Sequence, residues 1–281
     1  MNLPILDIPH LLHQYRLHPK KSLGQNFLVD ESALQKVVDA AQVTPQDVVL
    51  EIGSGLGSLT RYLATIAQRV VAVEVDSSLI AVLETVIKQY SNIKVVEGDI
   101  LALNPAQLVL QSPYIVVANI PYYITSALIR HLLESSLPPM RLIMTVQNEV
   151  AKRICALPGE MSLLALSVQV YGHPEIIAQI PAGAFYPPPK VDSAILRIDR
   201  LPFPLIPADE LDEFFQLIKA GFSQKRKTLR NALAGGLRIS TPVVELLLKD
   251  ALIDPMRRAE TLSLTEWHRL TSVYSTQFSQ C

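Results

Sequence analysis

Between residues 46 and 147 the sequence alternates short apolar runs rich in β-branched residues with longer amphipathic stretches. Such runs are typical of strands buried on both faces, and the stretches between them have helical periodicity. Strands that alternate with helices form βαβ units and a parallel sheet. The predicted strands are 48–52, 69–75, 93–98, 114–119 and 141–146, and the predicted helices are 58–67, 77–90 and 125–133.

Two further apolar runs, 175–180 and 193–198, are joined by a proline-rich stretch and predict a hairpin that closes the sheet. After Pro202, Pro204 and Pro207 the pattern changes to helical periodicity. The chain of 281 residues is long enough for one large domain or two. We predict an N-terminal extension over 1–18, an α/β domain over 19–203 and a helical domain over 204–281.

Composition excludes several classes of protein. A hydrophobic share of 49% with 18% charged residues excludes disorder for most of the chain. The uncharged stretch 100–129 is interrupted by prolines and amides, so it does not predict a membrane span. The first residues lack the pattern of a secretory signal, and we expect a cytoplasmic protein. Cys155 and Cys281 are too far apart for a zinc knuckle or a CxxC pair, and we expect no metal.

The charge is unevenly distributed although the net charge is only -1. No acidic residue occurs between Phe214 and Val244, where six basic residues lie. A second stretch without acids, Ile8 to Val29, carries Arg16, Lys20 and Lys21. Both stretches fit a surface for a polyanion, but a charge run taken alone favours a solvated helix or loop face, so a polyanion surface needs a site as further support.

The first predicted strand runs into a turn that contains Gly53, Gly55 and Gly57. Glycines permit positive φ and a close approach of the backbone, and this turn lies at the sheet edge where ligands bind. The dinucleotide pattern GxGxxG requires a third glycine at position 58, but Ser58 stands there. The spacing therefore departs from the pattern that binds a pyrophosphate.

Two acids follow the next two predicted strands. Glu74 comes 17 residues after Gly57, where a carboxylate accepts hydrogen bonds from ribose hydroxyls. Asp99 follows the third strand at the same sheet edge and is placed to receive an exocyclic adenine amino group. Together with the glycine turn, these acids predict a site for adenosine without a pyrophosphate; the alternative is a tight turn with two loop acids.

The fourth predicted strand ends in Asn119, Ile120, Pro121 and Tyr122, which resembles the NPPY-type motif of S-adenosylmethionine-dependent amino methyltransferases. An adenine amine is a poor nucleophile because its lone pair is delocalised into the ring. The Asn119 side-chain oxygen and the Ile120 carbonyl accept both amino hydrogens and aim the lone pair at the methyl group. Pro121 fixes the backbone, and Tyr122 offers a stacking face. Neither a strong base nor a metal is required.

The whole set of motifs resembles the small-subunit rRNA adenine dimethyltransferase family known as KsgA. The resemblance rests on EIGSGLGSLT and NIPYY together with KKSLGQNFLVD, FYPPPKVDSAILRI and FSQKRKTLRNAL. It implies an α/β fold, with a Rossmann-like S-adenosylmethionine-dependent methyltransferase domain and a smaller C-terminal all-helical domain. NIPY stands where the family has NLPY, and this change keeps the backbone acceptor.

The resemblance also assigns roles to residues. Phe185 would line the target-base pocket opposite Tyr122, which completes a predicted catalytic set of Asn119, Ile120, Pro121, Tyr122 and Phe185. The predicted cofactor-binding residues are Gln25, Asn26, Leu28, Gly53, Gly55, Glu74, Asp99, Ile100 and Asn119. The predicted RNA-binding residues are Lys20, Lys21, Lys190, Lys225, Arg226, Lys227 and Arg230.

The substrate implied by the resemblance is 16S rRNA in an assembling small ribosomal subunit, methylated twice at N6 of two adjacent adenines near its 3′ end. We expect a monomeric enzyme with S-adenosylmethionine as its cofactor and a role in small-subunit biogenesis. Three alternatives stay open. They are the large-subunit rRNA dimethyltransferase of macrolide resistance, a non-catalytic assembly or transcription factor, and an NAD-dependent oxidoreductase.

Overall fold

A computed structural model describes residues 3–110, 113–224 and 226–278 of the chain. Its main feature is a seven-stranded sheet, accompanied by a sheet of two short strands. In chain order the strands are β1 (Phe27–Leu28), β2 (Val48–Ile52), β3 (Arg69–Glu74), β4 (Ile93–Glu97), β5 (Tyr114–Asn119), β6 (Arg141–Gln147), β7 (Gly172–Ile180), β8 (Phe185–Tyr186) and β9 (Ser193–Arg200).

The helices occupy the segments between these strands and the C-terminal part of the chain. They are α1 (Ile8–Gln14), α2 (Glu31–Ala41), α3 (Ser58–Ala64), α4 (Ser77–Ile87), α5 (Pro105–Val109), α6 (Thr125–Leu133), α7 (Asn148–Ile154), α8 (Leu163–Gln169), α9 (Leu211–Phe222), α10 (Leu229–Leu237), α11 (Thr241–Asp250) and α12 (Leu264–Phe278). Single 3-10 turns cover Lys21–Leu23, Tyr122–Ile124, Ala182–Ala184, Ala208–Glu210 and Ala259–Thr261.

The order of the strands in the large sheet is β4-β3-β2-β5-β6-β9-β7. The pairs from β4 to β6 are parallel, and β9 is antiparallel to β6. The chain passes from β2 outward to β3 and β4, then returns to form β5 on the other side of β2. The crevice between the carboxyl ends of β2 and β5 is therefore the topological switch point, where open α/β sheets bind ligands.

The predicted strands are present, and those at 48–52 and 114–119 have the predicted bounds. Helices α3 and α4 each end three residues before the predicted end, because no glycine or proline marks the point where the helix stops. The two runs of the predicted hairpin lie in β7 and β9, which are neighbours in the sheet. Pro174 is tolerated inside β7 because this strand lies at the sheet edge.

The described residues divide into two compact units. The first comprises the described residues of 3–151 and Pro174–Arg200, and the second comprises those of Lys152–His173 and 201–278. This division differs from the predicted bounds, because it adds the segment around α8 to the second unit. Apolar side chains of α8 are buried in the same cluster as those of α9 to α12. Packing between segments so far apart in sequence leaves no local pattern from which the boundary could be predicted.

The N-terminal residues that we predicted as an extension belong to the first unit. Ile8 and Leu12 of α1 are buried in one apolar cluster with Phe27, Leu56 and Leu79. The cluster packs α1 against residues that flank the glycine turn. Within the described residues, no helix combines the length and the apolarity that crossing a bilayer requires.

Glu51 is an acid in the fully buried strand β2, with an exposed fraction of 1%. Burial raises its pKa to about 8, and the nearby charge of Glu74 adds to the shift. Among the described residues its Oε2 atom has no hydrogen-bond partner, as suits a protonated acid. The folded protein thus holds a proton on Glu51 that the unfolded chain releases near pH 4.5.

We predict that this proton makes stability fall as the pH rises. The contribution of Glu51 is present in full below about pH 4.5 and is lost by about pH 8, at roughly 1 kcal/mol per pH unit. Urea unfolding of wild type and Glu51→Gln across this range measures it. The free energy of unfolding of wild type should fall with pH relative to that of Glu51→Gln, which cannot release this proton. Glu97→Gln changes an exposed glutamate of β4, and its free energy of unfolding should depend on pH as that of wild type does.

Candidate active site

The loop after β2 touches the end of β5 at Gly53. A Cβ atom at this position would lie 2.7 Å from the Asn119 carbonyl oxygen, and φ is +76°. Both features require glycine, since other residues rarely adopt this conformation and none would fit. The absence of a side chain brings the glycine turn and the NIPY motif together at the switch point.

Glu74, at the end of β3, is tied to the glycine turn by backbone hydrogen bonds. The Gly55 N–H donates to its Oε2 at 2.7 Å, and the Asp76 N–H donates to its Oε1 at 2.9 Å. Burial raises the pKa of this carboxyl although these bonds oppose the shift. Each carboxylate oxygen accepts about two hydrogen bonds, so Glu74 retains free acceptor positions for ligand hydroxyls.

Asp76 connects the strand end to the N-terminal loop, and the sequence analysis did not select it. Lys20 Nζ lies 2.6 Å from its Oδ1, and Gln25 Nε2 donates to its Oδ2 at 2.7 Å. Burial opposes ionisation of Asp76, but hydrogen bonds from Lys20, Ser78 and Gln25 lower its pKa below the ordinary value. Lys20, which we predicted as an RNA contact, is therefore engaged in an ion pair within the first unit.

Strands β1 and β8 bring two of the sequence motifs together. They pair antiparallel, with Phe27 opposite Tyr186 and Leu28 opposite Phe185. The Leu28 side chain is buried in the core cluster around α2 and α3. It is not among the residues that line the cavity, where Phe27 lies instead. A contact between Leu28 and the cofactor therefore stays a prediction. Only the backbone of Leu28 could make this contact.

Two buried hydroxyls hold the side chains of the NIPY motif. Thr145 Oγ1 donates to Asn119 Oδ1 at 2.5 Å, and Asn119 Nδ2 donates to the Asn26 carbonyl at 3.4 Å. The Tyr122 hydroxyl and Ser193 Oγ are 2.6 Å apart, and burial raises the pKa of Tyr122. The sequence analysis selected neither Thr145 nor Ser193, although Thr145 is the one polar residue in the buried stretch 142–146.

These elements line an open cavity at the switch point. An adjoining pocket shares five of its lining residues and also contains Asp99, an exposed side chain, and the buried Ile100. The structure therefore brings most of the predicted catalytic and cofactor-binding residues to one groove. Those that line the cavity itself are Gln25, Asn26, Gly53, Gly55, Glu74, Asn119, Ile120, Pro121, Tyr122 and Phe185.

The predicted RNA-binding residues have different surroundings. Lys21 and Lys190 are exposed in the first unit, and Arg226 and Lys227 are exposed in the second. Arg230 Nη1 forms an ion pair with Glu245 Oε1 at 2.6 Å. Lys225 lies outside the described residues. Arg226 and Lys227 are thus the members of the C-terminal basic run whose exposed charges suit contacts with phosphate.

The groove fits S-adenosylmethionine. Glu74 retains free acceptor positions for ribose hydroxyls, and Asp99 offers a carboxylate for the adenine amino group. Gly53 has no side chain, so a ligand can approach its backbone closely. The NIPY acceptors lie next to these groups in the same cavity. A Rossmann-like sheet with this groove defines the class of S-adenosylmethionine-dependent methyltransferases that act on amino groups.

Comparison with known proteins gives the family. The model of the family described as ribosomal RNA adenine dimethylase matches residues 16–274. The chain belongs to this family, as the motifs predicted. A protein of Dehalococcoides mccartyi named ribosomal RNA small subunit methyltransferase A is 47% identical, covering 94% of this chain and 91% of its own. A protein of Geobacillus kaustophilus with the same name is 38% identical, covering 96% of each chain.

Two solved structures are similar over most of the chain. The 23S rRNA methyltransferase ErmE has a TM-score of 0.71 at 29% identity, covering 88% of this chain and 99% of its own. A dimethyladenosine transferase from Plasmodium falciparum has a TM-score of 0.75 at 25% identity, with coverage of 90% and 98%. These similarities confirm the predicted Rossmann-like methyltransferase fold and S-adenosylmethionine as the methyl donor.

We predict that cofactor affinity depends on the ionisation of Glu74. Its raised pKa means that protonation begins at a higher pH than for an ordinary glutamate, and the protonated acid loses acceptor positions. Affinity should therefore fall as the pH is lowered toward this pKa. Titration calorimetry with S-adenosylmethionine between pH 8 and pH 5 measures the effect.

Glu74→Gln should weaken binding at pH 8 by about tenfold or more, the usual effect of losing a charge-assisted hydrogen bond. It should also remove the pH dependence in this range. Glu84→Gln, at an exposed glutamate of α4, should leave both properties unchanged. Equal pH dependence in wild type and Glu74→Gln would contradict the prediction.

Proposed function

We propose that this protein transfers methyl groups from S-adenosylmethionine to N6 of two adjacent adenines in a loop near the 3′ end of 16S rRNA, forming N6,N6-dimethyladenosine. One observation carries the proposal. Gly53 contacts the Asn119 carbonyl, so the cofactor-binding turn and the amine acceptors share one cavity. Family membership and the relatives named small subunit methyltransferase support the choice of substrate.

S-adenosylmethionine supplies an electrophilic methyl group whose carbon forms a bond to N6 while its bond to sulfur breaks and the electron pair stays on sulfur. In the first transfer, Asn119 Oδ1 and the Ile120 carbonyl accept the two amino hydrogens and hold the N6 lone pair toward the donor. In the second transfer N6 carries one hydrogen, which one of these two oxygens accepts. After transfer the amine is positively charged and acidic, so water takes its proton. Asn119 and Ile120 thus act through position and partial charge, and their oxygens need no ionisation.

Tyr122 and Phe185 lie in the same cavity as the acceptors. An adenine held inside a helix is inaccessible, so the target base must leave its stack and enter a pocket. The rings of these two residues provide apolar surface against which the adenine stacks. Ser193 fixes the Tyr122 hydroxyl, which leaves the ring with a defined orientation.

The small subunit is favoured over the large subunit as substrate. Relatives named small subunit methyltransferase are 38% to 47% identical, whereas the 23S rRNA methyltransferase ErmE is 29% identical. The same proposal includes a monomeric enzyme that works on an assembling subunit in the cytoplasm, without a metal, and contributes to subunit biogenesis. It assigns the exposed basic residues of both units to contacts with rRNA phosphates.

We predict that methyl transfer depends on the Asn119 side chain. Incubation with radiolabelled S-adenosylmethionine and unmethylated small subunits should place label in N6,N6-dimethyladenosine after digestion of the rRNA. Asn119→Ala should lower kcat by about 100-fold, since one acceptor of the developing charge is removed. Cofactor affinity, measured separately, distinguishes this loss from the loss of the predicted contact between Asn119 and the cofactor. Asn92→Ala, at a part-buried asparagine that donates to the Ala64 and Ala67 carbonyls, is the matched control.

The outcomes separate the alternatives. In a parallel incubation with large-subunit RNA, label there and none in small subunits would move the specificity to the resistance-type relatives. Wild type that binds the cofactor but transfers no label would contradict the enzymatic function and leave the assembly-factor hypothesis. Label at a nucleoside other than dimethyladenosine would refute the proposed product.

We predict that Arg226 and Lys227, in the C-terminal basic run, contribute to RNA binding. Replacement of Arg226 and Lys227 by Glu should raise KM for small subunits. The salt dependence of binding should also weaken, by about one unit of slope for each phosphate that the protein no longer neutralises. Cofactor affinity should stay at the wild-type value. Lys249→Glu, which changes an exposed lysine of α11, should leave KM close to wild type. An unchanged KM in the double variant would exclude this run from RNA binding.

A further inference from the structure

The function of Asn119 depends on which end of its amide faces the target amine. The two ends of an amide side chain have nearly the same shape but opposite hydrogen-bonding character. The oxygen accepts a hydrogen from N6, whereas a half-turn of the amide would present N–H donors to the N–H groups of the adenine. Neighbouring groups must therefore select one orientation before the substrate arrives.

Thr145 is the neighbour that faces the amide oxygen. It lies opposite Asn119 in the parallel pairing of β5 with β6. Its Oγ1 atom is 2.5 Å from Asn119 Oδ1, so a hydrogen must lie between the two oxygens. Thr145 has an exposed fraction of only 1%, which keeps solvent from competing for this hydrogen bond.

The other end of the amide faces the Asn26 carbonyl, 3.4 Å from Asn119 Nδ2. A carbonyl only accepts hydrogen bonds, so it favours the amino end of the side chain on its side. The contact is long, however, and a hydrogen bond of this length contributes little. The Thr145 hydroxyl can donate or accept, so the Asn26 carbonyl selects which end of the amide faces Thr145, and the short bond from Thr145 then holds the amide in that orientation. It uses one of the two lone pairs on Oδ1 and leaves the second for the substrate.

We propose that Thr145 is a positioning residue for methyl transfer, whose buried hydroxyl holds the Asn119 oxygen toward the N6 amino group of the target adenine. The inference rests on the proposed function, because an acceptor is needed only where the substrate is an amine. Thr145 lies on a strand outside the NIPY motif and does not line the cavity. It acts on the reaction through Asn119.

Thr145→Val tests the proposal because valine has nearly the same shape but no hydroxyl. We expect kcat for methylation of small subunits to fall by about tenfold, the effect of removing one hydrogen bond to a reacting group. KM for the subunits and the Kd of S-adenosylmethionine should stay within about twofold, since neither ligand touches Thr145. Thr145→Ser keeps the donor and should restore kcat to within about threefold of wild type.

Two controls separate positioning from a general effect on folding. Thr60→Val makes the same change at a threonine of α3 that is also fully buried and does not line the cavity, and kcat should be unchanged. In the Asn119→Ala background, Thr145→Val should cause no further loss, because the group through which it acts is gone. Thermal unfolding of every variant checks that the differences in kcat do not follow stability.

Three results would overturn the proposal. They are a wild-type kcat in Thr145→Val, an equal loss in Thr145→Ser and Thr145→Val, and a full additional loss in the Asn119→Ala background. Failure of the proposed function would be recognised separately, since wild type itself would then transfer no methyl group to small-subunit adenines. An active wild type with an unaffected Thr145→Val variant refutes only the role of Thr145.

Discussion

The contact between Gly53 and the Asn119 carbonyl oxygen is the constraint that shapes the whole site. A Cβ at Gly53 would lie 2.7 Å from that oxygen, so any side chain would force the ends of β2 and β5 apart. With the two strand ends in contact, the glycine turn continues to Gly55, whose N–H reaches Glu74. The residues predicted to bind the methyl donor and those predicted to bind the amine thereby line one cavity, an arrangement that lowers the entropic cost of bringing two reactants together.

The N-terminal loop is held over this cavity by polar contacts with a strand end 50 residues away or more. Asp76 binds Lys20 and Gln25, and its own N–H binds Glu74. The short pairing of β1 with β8 holds Phe185 beside the same loop. Ionised Asp76 has enough donors to remain charged although it is buried, as the lowered pKa indicates. The wall of the cofactor pocket therefore depends on electrostatic contacts as well as on apolar packing.

Several polar side chains are buried in the site and next to it. Glu51 and Glu74 are both buried, and burial raises the pKa of each. Thr145 and Ser193 place hydroxyls in the interior of a sheet whose other buried side chains are largely apolar. Each hydroxyl is bonded to a side chain of the NIPY motif, which offsets the cost of burying it and fixes the geometry of that side chain.

The parallel sheet, the glycine turn and the residues that meet at the switch point could be predicted from the amino-acid sequence. β-branched runs specify buried strands, and parallel strands bring their carboxyl ends to one edge, so Glu74, Asp99 and Asn119 could be placed together in advance. Only the folded chain shows that Asp76 contacts Glu74 and that Thr145 contacts Asn119. It also shows that α8 packs with the C-terminal helices. A hydrogen bond or a packing contact between distant segments has no periodicity in sequence, because it depends on the register of strands that pair only in the folded chain.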